Sequence, residues 1–499
     1  MDCVVGIDFG TESVRAHVFG LDGRPLGSTA GPYPTRFPQP AWAEQDPDDW
    51  WSAVAVAVRG ALDRAGIRPG EVIGLGVDTT SCTVLALGRD LAPLRPALIW
   101  MDVRAAREAE DVAACGDPAL RINGAGGSPV SAEWMIPKAL WLKRNEPETW
   151  SRAAVICEFQ DYVNLRLTGR VAASFNNISM RWHYQAEHGG LPLSLLDRVN
   201  LSDLAAKWPR DIVRPGETVG TLTAEAAAHL GLPEGLPVAQ GGADAFIGMI
   251  GLGVNAPGQV ALVTGSSHLQ LGVSDRAFHA PGIWGTYAEA VYPNRYIVEG
   301  GQTSTGSIVN WFKSRFAQSL SYEDLNRDAA ALPPGAEGLL VLDHFQGNRT
   351  PYTDARSRGA ITGLTLAHTP AHVFRAIVEG ICMGTRLILD TMAAGGFRAE
   401  RITVAGGATN SPLWLQIHAD VAGVPLARTE VPDACALGSA ILATVATGAH
   451  PGIDEAIAAM VRVRAVVEPD PERHAAYQPV YERYRELYAA LKPVREDRA

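Results

Sequence analysis

The sequence predicts an α/β protein of at least two domains, and three observations predict it. The chain has 499 residues, enough for two or more domains of ordinary size. Short β-type runs alternate with stretches of helical periodicity along most of its length. A pattern of strand, small-residue turn and strand also occurs twice: Val4–Phe19 turns at Gly10-Thr11-Glu12-Ser13, and Gly258–Val273 turns at Gly265-Ser266-Ser267-His268. Backbone N–H groups in such turns form an anion-binding nest, and the hydroxyls add donors. Two of them on two domains would make jaws around a polyphosphate; a plain hairpin is the competing reading of each turn alone.

The elements follow in order. Val4–Ile7 and Val14–Phe19 read as strands, and the Asp22-Gly23 turn joins the next one. Pro38–Asp48 is Pro-rich and polar; Asp46 or Asp48 is placed to cap a helix over Trp50–Ala65 that stops at Gly66. A buried strand follows at Val72–Val77, then the turn Asp78-Thr79-Thr80-Ser81 and a strand at Val84–Leu87. Helices are expected at Arg104–Ala114, Glu133–Asn145 and Phe159–Leu167. In the second half, Ile402–Gly407 is a strand ending in a glycine pair, and Ala434–Gly448 is a small-residue helix suited to close packing against another helix.

Composition narrows the function. Hydrophobic residues make up 47% and charged residues 19%, and the net charge is −11. A nucleic-acid binder needs a basic face, so that class is disfavoured and a small-molecule protein favoured. The six cysteines are Cys3, Cys82, Cys115, Cys157, Cys382 and Cys435, with no CxxC pair, which reads as reduced thiols in a cytoplasmic protein. Asp2 and Asp8 break the first apolar stretch, so no signal peptide is expected, and no uncharged apolar run reaches the roughly 18 residues of a membrane span.

Four local patterns carry candidate chemistry. Asp8, at the end of the first strand, can hold a magnesium ion through water, since magnesium prefers oxygen ligands and keeps several waters. Asp244, in Gln240-Gly-Gly-Ala-Asp-Ala-Phe-Ile-Gly248, is either a helix cap or a general base aimed into a cleft. The Gly-Gly pair of Val404–Trp414 lets a flat ring or ribose approach the backbone, or is a tight strand-to-helix connection. Asp102 and Arg104 form either a surface ion pair or a grip on sugar hydroxyls. His17, His268 and His418 show no metal-ligand spacing and read as structural or solvated.

Together these residues resemble the FGGY carbohydrate kinases. The most specific likeness is Gly359–Glu379, which is similar to that family's C-terminal signature in its glycines, its spacing and its closing Ala-Ile-Val-Glu; Pro137-Lys138-Ala-Leu-Trp141 resembles the other signature region. The resemblance implies two actin-like (ribonuclease H-like) domains with mixed, five-stranded sheets and an interdomain cleft. Residues 1–245 would be the sugar-binding domain with the first phosphate turn, and residues 246–499 the ATP-binding domain. It also implies ATP·Mg2+-dependent phosphorylation of a sugar or polyol hydroxyl. Carried over by position, Asp8 organises magnesium, Gly10, Thr11, Ser13 and Arg15 cradle phosphate, and Asp244 is the general base. Gly265, Ser266, Ser267 and Gly306 meet the phosphoryl group from the second domain, and Gly406, Gly407 and Asn410 sit by the adenosine. Thr79, Thr80, Ser81, Asp102, Arg104, Glu133, Arg181, Asp244 and Glu299 form the sugar side.

On substrate, Thr79-Thr80 stands where glycerol kinases have Arg-Glu and xylulokinases Met-His. Gly74–Leu85, Gly282–Tyr287, Val298–Ser304 and Phe345–Pro351 look most like ribulokinases, D-ribulose kinases in particular. Glu299 matches a sugar-contacting glutamate of that group, whereas Arg181 stands in place of its lysine, and a forked guanidinium is not a neutral swap. Phe37–Asp46 is similar to xylulokinases, so xylulose is the second expectation. A ribulose would be phosphorylated at its terminal hydroxyl to the 5-phosphate. An actin-like ATPase acting as chaperone or filament is the reading from another class, but it needs neither a sugar pocket nor the Gly359–Glu379 signature. The expected partners are a small sugar and ATP, with a homodimer left open and neither nucleic acid nor membrane.

Overall fold

The computed structural model describes residues 2–123 and 130–496. Two large sheets organise them. The first runs in the order Thr218–Thr221, Pro237–Ala239, Val72–Thr79, Cys3–Phe9, Ser13–Gly20, Pro25–Pro32. The second runs Gly285–Ala288, Tyr296–Gln302, His268–Ser274, Gln259–Thr264, Arg401–Gly406, Leu426–Thr429, Val463–Val467.

Both sheets share one plan. Cys3–Phe9 pairs antiparallel with Ser13–Gly20 and parallel with Val72–Thr79. Gln259–Thr264 likewise pairs antiparallel with His268–Ser274 and parallel with Arg401–Gly406. Pro237–Ala239 and Leu426–Thr429 each add one more parallel strand. This is the duplicated actin-like arrangement. The expectation of five strands per sheet is corrected: antiparallel strands Thr218–Thr221, Gly285–Ala288 and Val463–Val467 extend the edges, where unpaired backbone groups would otherwise lie open.

The first strand explains its own burial. Every residue of Cys3–Phe9 is buried, as befits a strand covered on both faces. Cys3, Val5, Ile7 and Phe9 pack with Trp50, Val54 and Ala57 of helix Pro47–Ala65. Val4 packs with Leu437 and Ala440 of helix Ala434–Ala446, and Gly6 and Asp8 share its face by the period-2 alternation. Helix Pro47–Ala65 starts one turn earlier than expected, because Pro47 is favourable in a first turn; Asp46 accepts a bond from Asp48 N, and Gly66 closes it at φ 65°.

Helix Ala434–Ala446 belongs to the second half of the chain but lies on the first sheet, and its approach is backbone on backbone. A Cβ on Gly6 would stand 2.0 Å from the Ala436 carbonyl oxygen, and one on Gly76 2.1 Å from that of Ser439. Its neighbour, helix Asp244–Gly251, is equally close: a Cβ on Gly438 would lie 2.1 Å from the Ile247 carbonyl oxygen. Among the described residues, no helix is long and apolar enough to cross a membrane.

Because the Gly438 contact is with backbone, Gly438→Ala forces the helices apart. A loss of about 1–3 kcal/mol is expected from such overpacking. Urea denaturation checks it, with Gly70→Ala, whose Cβ would meet nothing within 4 Å, expected to change stability by less than about 0.5 kcal/mol.

Candidate active site

The parallel register brings carboxylates from distant parts of the sequence to one place. Asp8 and Asp78 are direct partners on adjacent strands and therefore share a face. Thr79 bridges to Ala243 in parallel, its N–H donating to Gly242 O at 3.0 Å while Thr80 N–H donates to Phe9 O at 2.9 Å. Asp244 follows as the first residue of its helix. It does not fill the N-cap position, which is Ala243; its Oδ1 accepts from Ala245 N at 2.7 Å, and the side chain stays partly open to solvent.

Three neighbouring carboxylates in a poorly solvated place resist ionisation. Asp244 is pushed up to about 7, first by burial and then by the charge of Asp8. Burial and Asp8 also hold Asp78 well above the usual carboxylate range. Asp8 is raised by burial despite the pull of Arg15, whose guanidinium lies 2.8 Å from Asp8 Oδ2 and 3.3 Å from Asp433 Oδ1. Asp78 was not singled out in the sequence; its Oδ2 accepts from Ser439 Oγ at 2.6 Å, and its carboxyl group is hydrogen-bonded to that of Asp8.

The first turn closes with Gly10 N–H donating to Ser13 O at 3.0 Å. Tyr33 Oη donates to Gly10 O, and Trp100 Nε1 donates to Thr11 Oγ1 at 3.0 Å. The second turn is its counterpart: Gly265 N–H donates to Ser267 O at 2.9 Å, and Gly265, Ser266 and Ser267 are exposed. Gly306 opens helix Gly306–Phe316 against this turn, where a Cβ would stand 2.3 Å from Gly265 O. Thr264, just before the second turn, pairs with Gly406, so the turn and the Gly406-Gly407 pair end adjacent strands. Gly406 takes φ 92°, Gly407 and Asn410 are exposed, and a Cβ on Gly407 would meet nothing within 4 Å. Strand Leu426–Thr429 leads to Asp433 within four residues, a span of at most about 14 Å, and Asp433 contacts Arg15. The strand ends of the two sheets therefore converge near Asp8.

The sugar-side residues divide. Arg181 and Glu299, from different halves, form a buried two-pronged pair at 2.7 and 3.0 Å, and Tyr287 Oη donates to Glu299 Oε2 at 2.6 Å. Glu133 lies 4.0 Å from Arg349. Cys82, next to the Thr79–Ser81 turn, is pushed up to about 11 by burial, with Arg181, Glu158, Lys138 and Glu133 also acting on it, which joins that turn to the Arg181 group; Thr79 and Thr80 are buried and Ser81 partly exposed. Asp102 and Arg104 are bonded to each other, but the surface-pair reading is corrected: both are buried. Asp102 Oδ2 also accepts from Ala43 N at 2.6 Å, and Arg104 stacks 3.7 Å over Trp42. Lys138 is also buried, its Nζ donating to Cys82 O at 2.7 Å and Ile99 O at 2.6 Å. His268 and His418 are buried in the second half with rings 5.7 Å apart.

With this geometry in hand, family models decide the identification. The N-terminal domain model of the FGGY family of carbohydrate kinases matches residues 3–251, and its C-terminal domain model matches residues 260–447. The chain belongs to the FGGY carbohydrate kinases. A ribulokinase from Anoxybacillus flavithermus is 31% identical over 97% of this chain and 94% of its own length. A xylulose kinase from Staphylococcus epidermidis is 28% identical over 99% and 98%. Among solved structures, the xylulose kinase from Rhodospirillum rubrum aligns with a TM-score of 0.89 at 29% identity, covering 99% of this chain and 100% of that one. As an FGGY kinase the protein is a sugar phosphotransferase.

The raised Asp244 makes a test of the site by stability. Between about pH 4 and 7 the folded protein keeps a proton on Asp244 that the unfolded chain has released, so this group, neutral toward folding below pH 4, opposes it increasingly as pH rises and fully above 7. Asp244→Asn removes that loss. The variant is expected to gain on the native protein by on the order of 2–4 kcal/mol between pH 4 and 8, read from urea denaturation at both pH values.

Proposed function

We propose that this FGGY kinase transfers the γ-phosphoryl group of ATP to the terminal hydroxyl of a ribulose, giving the 5-phosphate and ADP. The observation that carries the reading is Asp244, a carboxylate held near neutrality beside Asp8, where the strand ends of the two sheets converge. A general base works best with a pKa near the working pH.

Residues 1–245 bind the sugar and residues 246–499 the nucleotide, with helix Ala434–Ala446 of the second half seated on the first sheet. The adenosine lies by Gly406, Gly407 and Asn410. Asp8 would hold magnesium through water; the carboxyl group of Asp78 paired with it in register adds the oxygen donors that suit a hard, hydrated cation. Magnesium supplies charge neutralisation on the phosphates. Gly10, Thr11, Ser13 and Arg15 bind phosphate from one side, and Gly265, Ser266, Ser267 and Gly306 from the other. Asp244 takes the hydroxyl proton as the sugar oxygen bonds to phosphorus and the bond to the ADP oxygen breaks. Closure excludes water, the competing acceptor.

Ribulose is favoured by Thr79-Thr80, by Glu299 and by ribulokinase relatives, including one from Mycolicibacterium smegmatis at 32% identity over 97% of this chain. Glu299 receives the sugar already oriented by Arg181 and Tyr287. Xylulose is the second reading, favoured by Phe37–Asp46 and the xylulose kinase relatives.

A coupled ADP-release assay over D- and L-ribulose, D- and L-xylulose, ribitol and glycerol tests the substrate. A ribulose is expected to lead by tenfold or more in kcat/KM; activity on xylulose alone would favour the second reading, and sugar-independent ATP turnover would overturn the proposal. Asp244→Ala is expected to cut kcat by on the order of 10²–10⁴, and a loss under about tenfold would remove Asp244 from the role of base.

A further inference from the structure

The turn assigned to the sugar is held in a conformation that its residues do not favour. Cys82, which follows Thr79–Ser81, takes φ 60°, in the left-handed region where a Cβ crowds the following carbonyl oxygen. Glycine adopts that region freely and asparagine readily, whereas cysteine does not. Residues kept in sparsely populated backbone regions persist where surrounding contacts over-determine them, and they gather at functional sites. Here the contact is a buried cation: Lys138 Nζ donates to Cys82 O at 2.7 Å and to Ile99 O at 2.6 Å.

Little else accounts for a lysine at that position. Lys138 is fully buried. It is the fourth residue of helix Met135–Asn145, near the positive end of the helix dipole, where a cation is disfavoured. Burial pushes it down to about 8, with Cys82, Asp102, Glu133 and Glu158 acting the other way, so it still carries its charge at neutral pH. The two carbonyls it joins belong to segments that lead to different parts of the site. On the Cys82 side, Thr80 N–H donates to Phe9 O, next to Asp8, and Thr79 N–H donates to Gly242 O, two residues before Asp244. On the Ile99 side, the next residue, Trp100, donates from Nε1 to Thr11 Oγ1 in the first phosphate turn at 3.0 Å.

We infer that Lys138 is a positioning residue: its ammonium ties the left-handed Cys82 carbonyl to Ile99 and so fixes the Thr79–Ser81 turn relative to the phosphate turn at Thr11. Charge-assisted bonds are the strong ones, and one compact ammonium can meet two carbonyls from separate segments. Without the tie, residue 82 relaxes out of the left-handed region and carries the Thr80 and Ser81 hydroxyls with it. The inference rests on the sugar-side reading of Thr79–Ser81.

The test is the kinetics of Lys138→Met, which keeps the apolar stem and removes the ammonium, at pH 7 with the most active pentulose of the ADP-release panel. The KM for the pentulose is expected to rise tenfold or more while the KM for ATP stays within twofold. Adding Cys82→Gly, which suits φ 60°, is expected to win back threefold or more of the pentulose KM. Adding Cys82→Ala, which also removes the sulfur but keeps the Cβ, is expected to win back nothing. Lost packing or a lost buried charge would not separate glycine from alanine, so this split distinguishes positioning from a merely structural role. Circular dichroism confirms that each variant is folded; Lys138→Gln, which keeps one neutral donor, replaces a methionine variant that is not, with a threefold rise in the pentulose KM as its threshold. A pentulose KM within twofold of native in folded Lys138→Met, or equal recovery with glycine and alanine, overturns the inference. Ser81→Ala tells which premise failed. If it raises the pentulose KM where Lys138→Met does not, the tie is refuted and the turn keeps its role; if neither variant raises it, the sugar-side reading of the turn falls, and the inference with it.

Discussion

The backbone-to-backbone seating of helix Ala434–Ala446 on the first sheet is the constraint from which the site follows. It works because glycine stands at each crossing: Gly6 and Gly76 on the strands, Gly438 on the helix and Gly251 on the partner helix. Any Cβ there would enter the van der Waals shell of a carbonyl oxygen, so the spacing is set by backbone and leaves no slack. That spacing presents the first turn of the helix to the strand ends. Cys435, Ser439 and Asp433 reach Asp8, Asp78 and Arg15 from a part of the chain that otherwise belongs to the second sheet. The two sheets are thereby locked into a relation that side-chain packing alone would leave looser.

The same seating creates an electrostatic problem. Asp8, Asp78 and Asp244 meet where water is scarce, and among the described residues Arg15 is the one cation paired with any of them. Burial outweighs the attraction at Asp8 and dominates at the other two. A fold optimised for stability alone would place amides or apolar groups here, since an ionised carboxylate in this position opposes folding at neutral pH. On the proposed function, that charge is compensated by something that arrives: a cation at Asp8 and a hydroxyl proton at Asp244. The stability lost is recovered only in use, which is how strained or poorly solvated groups persist at functional sites.

The parts of this arrangement legible in the sequence are the local ones. The strands around both turns, helix Pro47–Ala65 with its Asp46 cap and Gly66 stop, and the small-residue character of Ala434–Ala446 all follow from short-range pattern and turn chemistry. Asp8 and Asp244 stood out because each sits beside a glycine turn. Asp78 did not, although it lies in a turn that was read: its meaning comes from register against Asp8, and no local pattern encodes which strands pair. Asp102 and Arg104 show the converse. Their spacing suggested a pair, but Trp42, Glu44 and Ala43 bury it, and contacts so far away in sequence leave no trace near the pair itself. The extra edge strands were missed because Gly285–Ala288 and Val463–Val467 are short and carry little alternation.

The Arg181–Glu299 pair ties the two halves together by a different kind of bond from the glycine seating. It joins charges, and its members belong to opposite halves of the chain. A fully buried, bidentate carboxylate–guanidinium pair is held in a fixed orientation, and Tyr287 adds a third contact to Glu299 and a fourth to Arg181 at 2.8 Å. A lysine in place of Arg181 could meet only one carboxylate oxygen at a time. The forked pairing therefore fixes Glu299 in the plane of the guanidinium. On the sugar-contacting role proposed for Glu299, selectivity would lie in the rigidity of the pair: a sugar whose hydroxyls match a fixed carboxylate edge binds without reorganisation, and an epimer that does not match must disturb a buried ion pair. Breaking such a pair costs several kcal/mol, more than the 1.4 kcal/mol that a tenfold preference requires. On that reading the rigidity of the pair, more than the identity of its residues, decides which sugar the kinase accepts.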